Sequence, residues 1–120
     1  MGDGGDLGAV EARLWGILEP YRDRLEAGSI YGLDSIRRPG AGAHDFFAGI
    51  KVNKDRVSYF LKPVYTHPDL LDDLSPGLRK RMQGKSCFNF ARADDDLLAE
   101  LAVLTERCFQ AYEEDAGPKA

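Results

Sequence analysis

The sequence predicts an α+β domain in which an N-terminal and a C-terminal helix pack on one face of an antiparallel β-sheet. Three observations carry the prediction. Apolar residues recur at helical spacing near both ends of the chain, and from His44 onward the pattern changes to period two. An apparent turn at Asn53, Lys54 and Asp55 then separates two runs rich in strand formers, which marks a hairpin.

Taken in order, Asp6 can cap a first helix over residues 7 to 19, where Val10, Leu14, Ile17 and Leu18 recur at helical spacing with Trp15 beside them. Pro20 removes a backbone donor, so PYRDRLEA reads as a bent continuation or a separate turn. Residues 28 to 43 are rich in glycine and carry little period; they read as loop, apart from a short strand at 29 to 33. The hairpin strands cover about 45 to 52 and 56 to 65, and Pro63 places the end of the second at an edge or a bulge. Ser75 and Pro76 suit the N-cap and first residue of a short helix, PGLRKRMQ, which Gly84 can end in the left-handed conformation. After a strand SCFNFA, Asp94 to Asp96 supply the cap and first-turn acids of a last helix reaching Glu114. Leu97, Leu101, Leu104, Cys108 and Tyr112 form its apolar stripe, widened by Leu98 and Phe109. Leu14, Ile17, Leu97, Leu101, Leu104 and Cys108 are therefore expected to bury against the sheet, with Cys108 acting as a small hydrophobe.

With 120 residues the chain has the length of one domain over 1–120, with 1–6 and 115–120 as frayed tails, and can remove roughly two-thirds of its surface from water. An apolar fraction of 43% and a charged fraction of 30% are those of a globular protein, and no apolar run approaches the ~18 to 20 residues of a membrane span. MGDGGDLGAV lacks the basic and apolar stretches of an export signal, so a cytoplasmic location is expected. Two cysteines make no disulfide framework. A net charge of −4 and a pI near 5.1 argue against nucleic-acid binding, which needs a basic footprint.

The stretch GKSCFNF at residues 84 to 90 tests three chemistries. A phosphate loop follows a strand and opens a helix with the pattern GxxxxGK[S/T]; here the order is reversed and Arg79 stands where the first glycine belongs. The basic cluster of Arg79, Lys80, Arg81 and Lys85 suits the negative end of a helix, with an anion site as the alternative. The triple aspartate lacks an EF-hand pattern and a neighbouring histidine. A thiol enzyme would use Cys87, with Lys85 on the same strand face at even spacing and His44 or His67 as the only histidine bases. No GxSxG elbow is present. Enzyme chemistry is thus thinly supported and no cofactor is implied; a thiol-dependent enzyme or redox protein using Cys87 is the alternative to a binding protein.

The stretches VSYFLKPVY, LLDDLSPGLRKRMQGKSCFNF and LLAELAVLTERCFQAY resemble the bacterial YdhG-like domain-of-unknown-function family over about residues 45 to 114, and RMQGKSCFNF is the most specific part. The resemblance implies a small α+β domain with terminal helices on an antiparallel sheet and transfers no catalytic residues. The helix, sheet, helix layout is also similar to frataxin-type iron chaperones, a likeness of layout alone that makes an iron-binding chaperone using the acidic termini the third reading.

Alternation places Phe46, Ala48, Ile50, Val52, Val57, Tyr59, Leu61, Phe88 and Phe90 on the side that meets the helices. The opposite side receives Phe47, Gly49, Lys51, Ser58, Phe60, Lys62, Cys87 and Asn89, with Lys85 beside them. Two phenylalanines among cations and hydrogen-bonding groups mark a ligand groove or a subunit interface. The expected occupant is an anionic or aromatic small molecule or a second copy of the chain, unless residues 28 to 43 fold over the face.

Overall fold

The computed structural model describes residues 7–30, 33–40 and 45–115. The expected tails, 1–6 and all of 115–120 but Asp115, lie outside the described residues, as does His44. Helix α1 (Leu7–Leu18) runs into a 3-10 turn (Glu19–Arg24) at Pro20, as the missing donor of that proline requires. Strands β1 (Glu26–Ile30), β2 (Leu33–Arg37), β3 (Phe46–Val52) and β4 (Val57–Leu61) follow. Next come α2 (Pro63–Thr66), a 3-10 turn (Pro68–Leu71), α3 (Pro76–Arg79), β5 (Met82–Gln83), β6 (Cys87–Phe90) and α4 (Asp95–Asp115). The six strands make one sheet in the order β1-β2-β3-β4-β6-β5, antiparallel at every pairing. The fold is α+β, as the periodicity predicts.

Three elements differ from expectation. The segment read as loop with one short strand at 29 to 33 holds two paired strands instead, β1 ending at Ile30 and β2 starting at Leu33, which extend the sheet beyond β3. Neither is rich enough in strand formers to show its full extent, and the pairing to β3 supplies what local propensity does not. The second hairpin strand stops at Leu61 because Pro63 opens α2. The helix expected over PGLRKRMQ closes after one turn. Met82 and Gln83 instead pair with Phe88 and Cys87, so Gly84, at φ +76°, turns a hairpin rather than ending a helix.

The core lies on one sheet face. Val10, Leu14 and Leu18 of α1 and Leu98, Leu101, Leu104, Cys108, Phe109 and Tyr112 of α4 pack with Ala48, Ile50, Val57, Tyr59, Leu61, Phe88 and Phe90. Val64 of α2 and Leu78 of α3 join the same cluster, so all four helices sit on this side. Ile17 and Leu97 are only half-buried, and Val52, expected inside, is 45% exposed at the end of β3. Polar ties fix the helices. The Tyr59 and Thr105 hydroxyls meet at 2.8 Å, both buried, and Tyr21 donates to Glu106 at 2.6 Å. Glu100 accepts from the Ser75 amide and hydroxyl, anchoring the cap of α3 to α4.

Candidate functional site

The side of the sheet away from the helices is built by the register of the strands. Ser35 pairs with Gly49, Gly49 with Phe60 and Phe60 with Cys87, which sets these residues in one row across β2, β3, β4 and β6. The next row is Lys51, Ser58 and Asn89. Cross-strand partners share a face, and these rows alternate with the buried rows of the core.

The register puts Gly49, Lys51, Ser58, Phe60, Cys87 and Asn89 on the expected face, Lys62 and Lys85 lie beyond the strand ends, and Phe47 departs from it. Between β2 and β3 the register slips, with Ile36 opposite Ala48 but Arg37 opposite Phe46. Phe47 is the extra residue of this bulge, and a bulge turns consecutive side chains out of strict alternation. Phe47 is fully buried in the core, 5.7 Å from the Tyr21 ring, 5.3 Å from Phe109 and 5.5 Å from Tyr112. The expectation that Phe47 belongs to the binding face and Phe46 to the core is therefore reversed. Phe46 stands outside the core cluster yet is only 9% exposed, with the Lys62 ammonium 5.5 Å from its ring centroid.

Two clusters result. At one end, Phe46, Phe60 and Lys62 lie near the β5–β6 turn, because Ser86 accepts from the Leu61 amide. That turn carries Lys85, whose ammonium is 5.8 Å from the centroid of the exposed Tyr65 ring. At the other end is a chain of side-chain hydrogen bonds. Asn53 donates to Ser58 at 2.9 Å, Ser58 to Asn89 at 2.6 Å, and Asn89 to Gln83 at 2.6 Å. Ser58 is 4% exposed, so this chain satisfies a hydroxyl that would otherwise be buried without a partner. Lys51 is exposed beside it. Asn53 and Gln83 are members that alternation along single strands missed, since they lie in a turn and a two-residue strand, whereas Tyr65 belongs to α2 and meets Lys85 from that helix.

Cys87 is half-buried and its thiol donates to Asn89 Oδ1 at 3.5 Å. Burial pushes its pKa up, outweighing the opposite influence of the Ser58 hydroxyl and the Arg56 charge. The thiol is thus held in the poorly nucleophilic form at neutral pH. His67 lines a different cleft, of about 250 Å³, with Asp69, Arg107 and Glu114. Among the described residues no three histidine, cysteine, aspartate or glutamate side chains converge on a point that could hold a metal ion. No helix among the described residues is long and apolar enough to cross a membrane.

Leu33 covers Gly49 on the helix-free face. It is 6% exposed although outside the core cluster, and its side chain leans over Gly49; a Cβ there would come within 2.8 Å of Leu33 Cγ. Glycine at 49 thus lets β2 lay an apolar side chain across the face. Comparison with family models, with curated proteins and with solved structures gives no match to this chain.

Proposed function

We propose that the protein is a non-catalytic binding module whose helix-free sheet face takes a small, flat, anionic organic molecule. The observation that carries this reading is the grouping of Phe46, Phe60 and Lys62 on the side of the sheet opposite all four helices. The half-buried Phe60 ring offers stacking surface with the edge of Phe46 beside it, and the ammonium groups of Lys62 and Lys85 offer a partner for a carboxylate or sulfonate. A protonated, desolvated Cys87 argues against the thiol-enzyme alternative. The absence of a converging donor set among the described residues leaves the iron-chaperone alternative without support there. Membership of the YdhG-like family, carried by RMQGKSCFNF, and a cytoplasmic location belong to the same proposal.

The test replaces Phe60 with Ser and Lys62 with Glu together and follows naphthoate-induced thermal shifts and sedimentation velocity. The expected outcome is a folded variant that has lost the naphthoate response. A double variant that keeps the parent's response and hydrodynamic size contradicts the reading. A parent dimer that the variant dissociates, with no naphthoate response in either, replaces the small ligand by a second copy of the chain.

A further inference from the structure

A separate cleft of about 340 Å³ opens between α3, the end of β6 and the first turn of α4, away from the residues assigned to the sheet face. Its walls carry Lys80, Arg81 and Arg92, with Gly77, Ala91 and Leu97 between them and the Asp94 carboxylate at the rim. On a chain of net charge −4 this is a local excess of two positive charges. The short α3 explains part of it, because the helix ends at Arg79 with Lys80 as its C-cap and Arg81 directly after it, which gathers these cations at the helix terminus.

The cations are also uncommitted. Among the described residues none of Lys80, Arg81 and Arg92 forms an ion pair, whereas Arg13, Arg22, Arg24, Arg38 and Arg56 all do. Arg81 Nε is buried and has no hydrogen-bond partner among the described residues, which is an unmet donor at the wall of the cleft. One oxygen of Asp94 is already engaged by the Leu97 amide at 3.2 Å, where it caps α4.

We propose that this cleft is an oxyanion site for a small phosphate monoester. Two guanidinium forks suit tetrahedral oxyanions, three cations less one carboxylate balance a dianion, and the volume leaves room for a small organic body beside the phosphoryl group. Leu97, half-buried, and Ala91 give that body apolar contact.

The experiment titrates phenyl phosphate and inorganic phosphate, at constant ionic strength, into the parent and into a variant carrying Lys80→Gln and Arg92→Gln. Both positions are exposed, so the variant keeps the fold. The expected result is binding of both probes to the parent, tighter for phenyl phosphate, with amide shifts at Gly77, Ala91, Arg92 and Leu97, and affinity at least about tenfold weaker in the variant. Binding of neither probe at millimolar concentration, equal affinity in parent and variant, or shifts that miss these amides would each overturn the proposal.

Discussion

Phe46 and Phe47 are adjacent in the chain and lie on opposite faces of the sheet, Phe47 against the Tyr21, Phe109 and Tyr112 rings and Phe46 under the Lys62 ammonium. The bulge opposite Ile36 and Arg37 decides which goes where. Phe47→Ala is predicted to cost about 3 to 5 kcal/mol, since it empties a site enclosed on all sides. Phe46→Ala is predicted to cost about 1.5 to 3 kcal/mol, the value of apolar area returned to water without a deep cavity. Urea denaturation measures both; the reverse order would place the bulge elsewhere.

The contact between Leu33 and Gly49 predicts a steric effect with a partner. Gly49→Ala sets a methyl 2.8 Å from Leu33 Cγ and 3.0 Å from the Asp34 carbonyl oxygen. The predicted loss is about 1 to 3 kcal/mol, as for other overpacking changes. Adding Leu33→Ala to Gly49→Ala should recover part of that loss, and a double-mutant cycle reads the coupling directly. Strict additivity would show that the two side chains do not compete for one space.

Thr105 sits in the middle of α4 with its hydroxyl buried, and Tyr59 is its partner. Thr105→Val leaves the Tyr59 hydroxyl without that partner and should cost about 1 to 3 kcal/mol. Tyr59→Phe in the same background removes the stranded group and should restore part of the loss. Thermal denaturation of the three variants and the parent tests this pattern.

The buried thiol of Cys108 predicts a dependence on alkaline pH. Burial pushes its pKa up to about 12 from an ordinary value of 9.0. The unfolded thiol ionises first, so the folded state's advantage is complete below pH 9 and falls as pH rises from there toward 12, by about 1.4 kcal/mol per unit for one such group. Burial also raises Tyr21, Tyr59 and Tyr112, which act in the same direction above their ordinary value of 10.0. Cys108→Ala should lower stability at pH 7 through its cavity yet flatten the fall between pH 9 and 10. An unchanged slope would mean that the thiol ionises within the folded protein as easily as outside it.

Much of this architecture is legible in the sequence because periodicity reports burial. Leu14, Leu101, Leu104 and Cys108 take their expected places, and Tyr59, Phe88 and Phe90 alternate as written. What is not legible depends on pairing. β1 and β2 are strands because β3 offers them an edge, and Met82 leaves its helix because Phe88 lies opposite it. The exchange of Phe46 for Phe47 follows from one residue of register slip between β2 and β3, which no feature within FFAGIKV announces. Of the eight expected site residues, Lys51, Ser58, Phe60, Lys62, Cys87 and Asn89 follow from alternation on strands or at their ends. Lys85 reaches the region through the turn that Gly84 makes.

The most direct measurement on the sheet face is a set of intermolecular nuclear Overhauser contacts between bound naphthoate and the aromatic rings of the protein. The account predicts contacts to the rings of Phe46 and Phe60 and to the Lys62 side chain, and none to Phe47. Contacts to Phe47, to the outward surfaces of α1 and α4, or to none of these groups would contradict it.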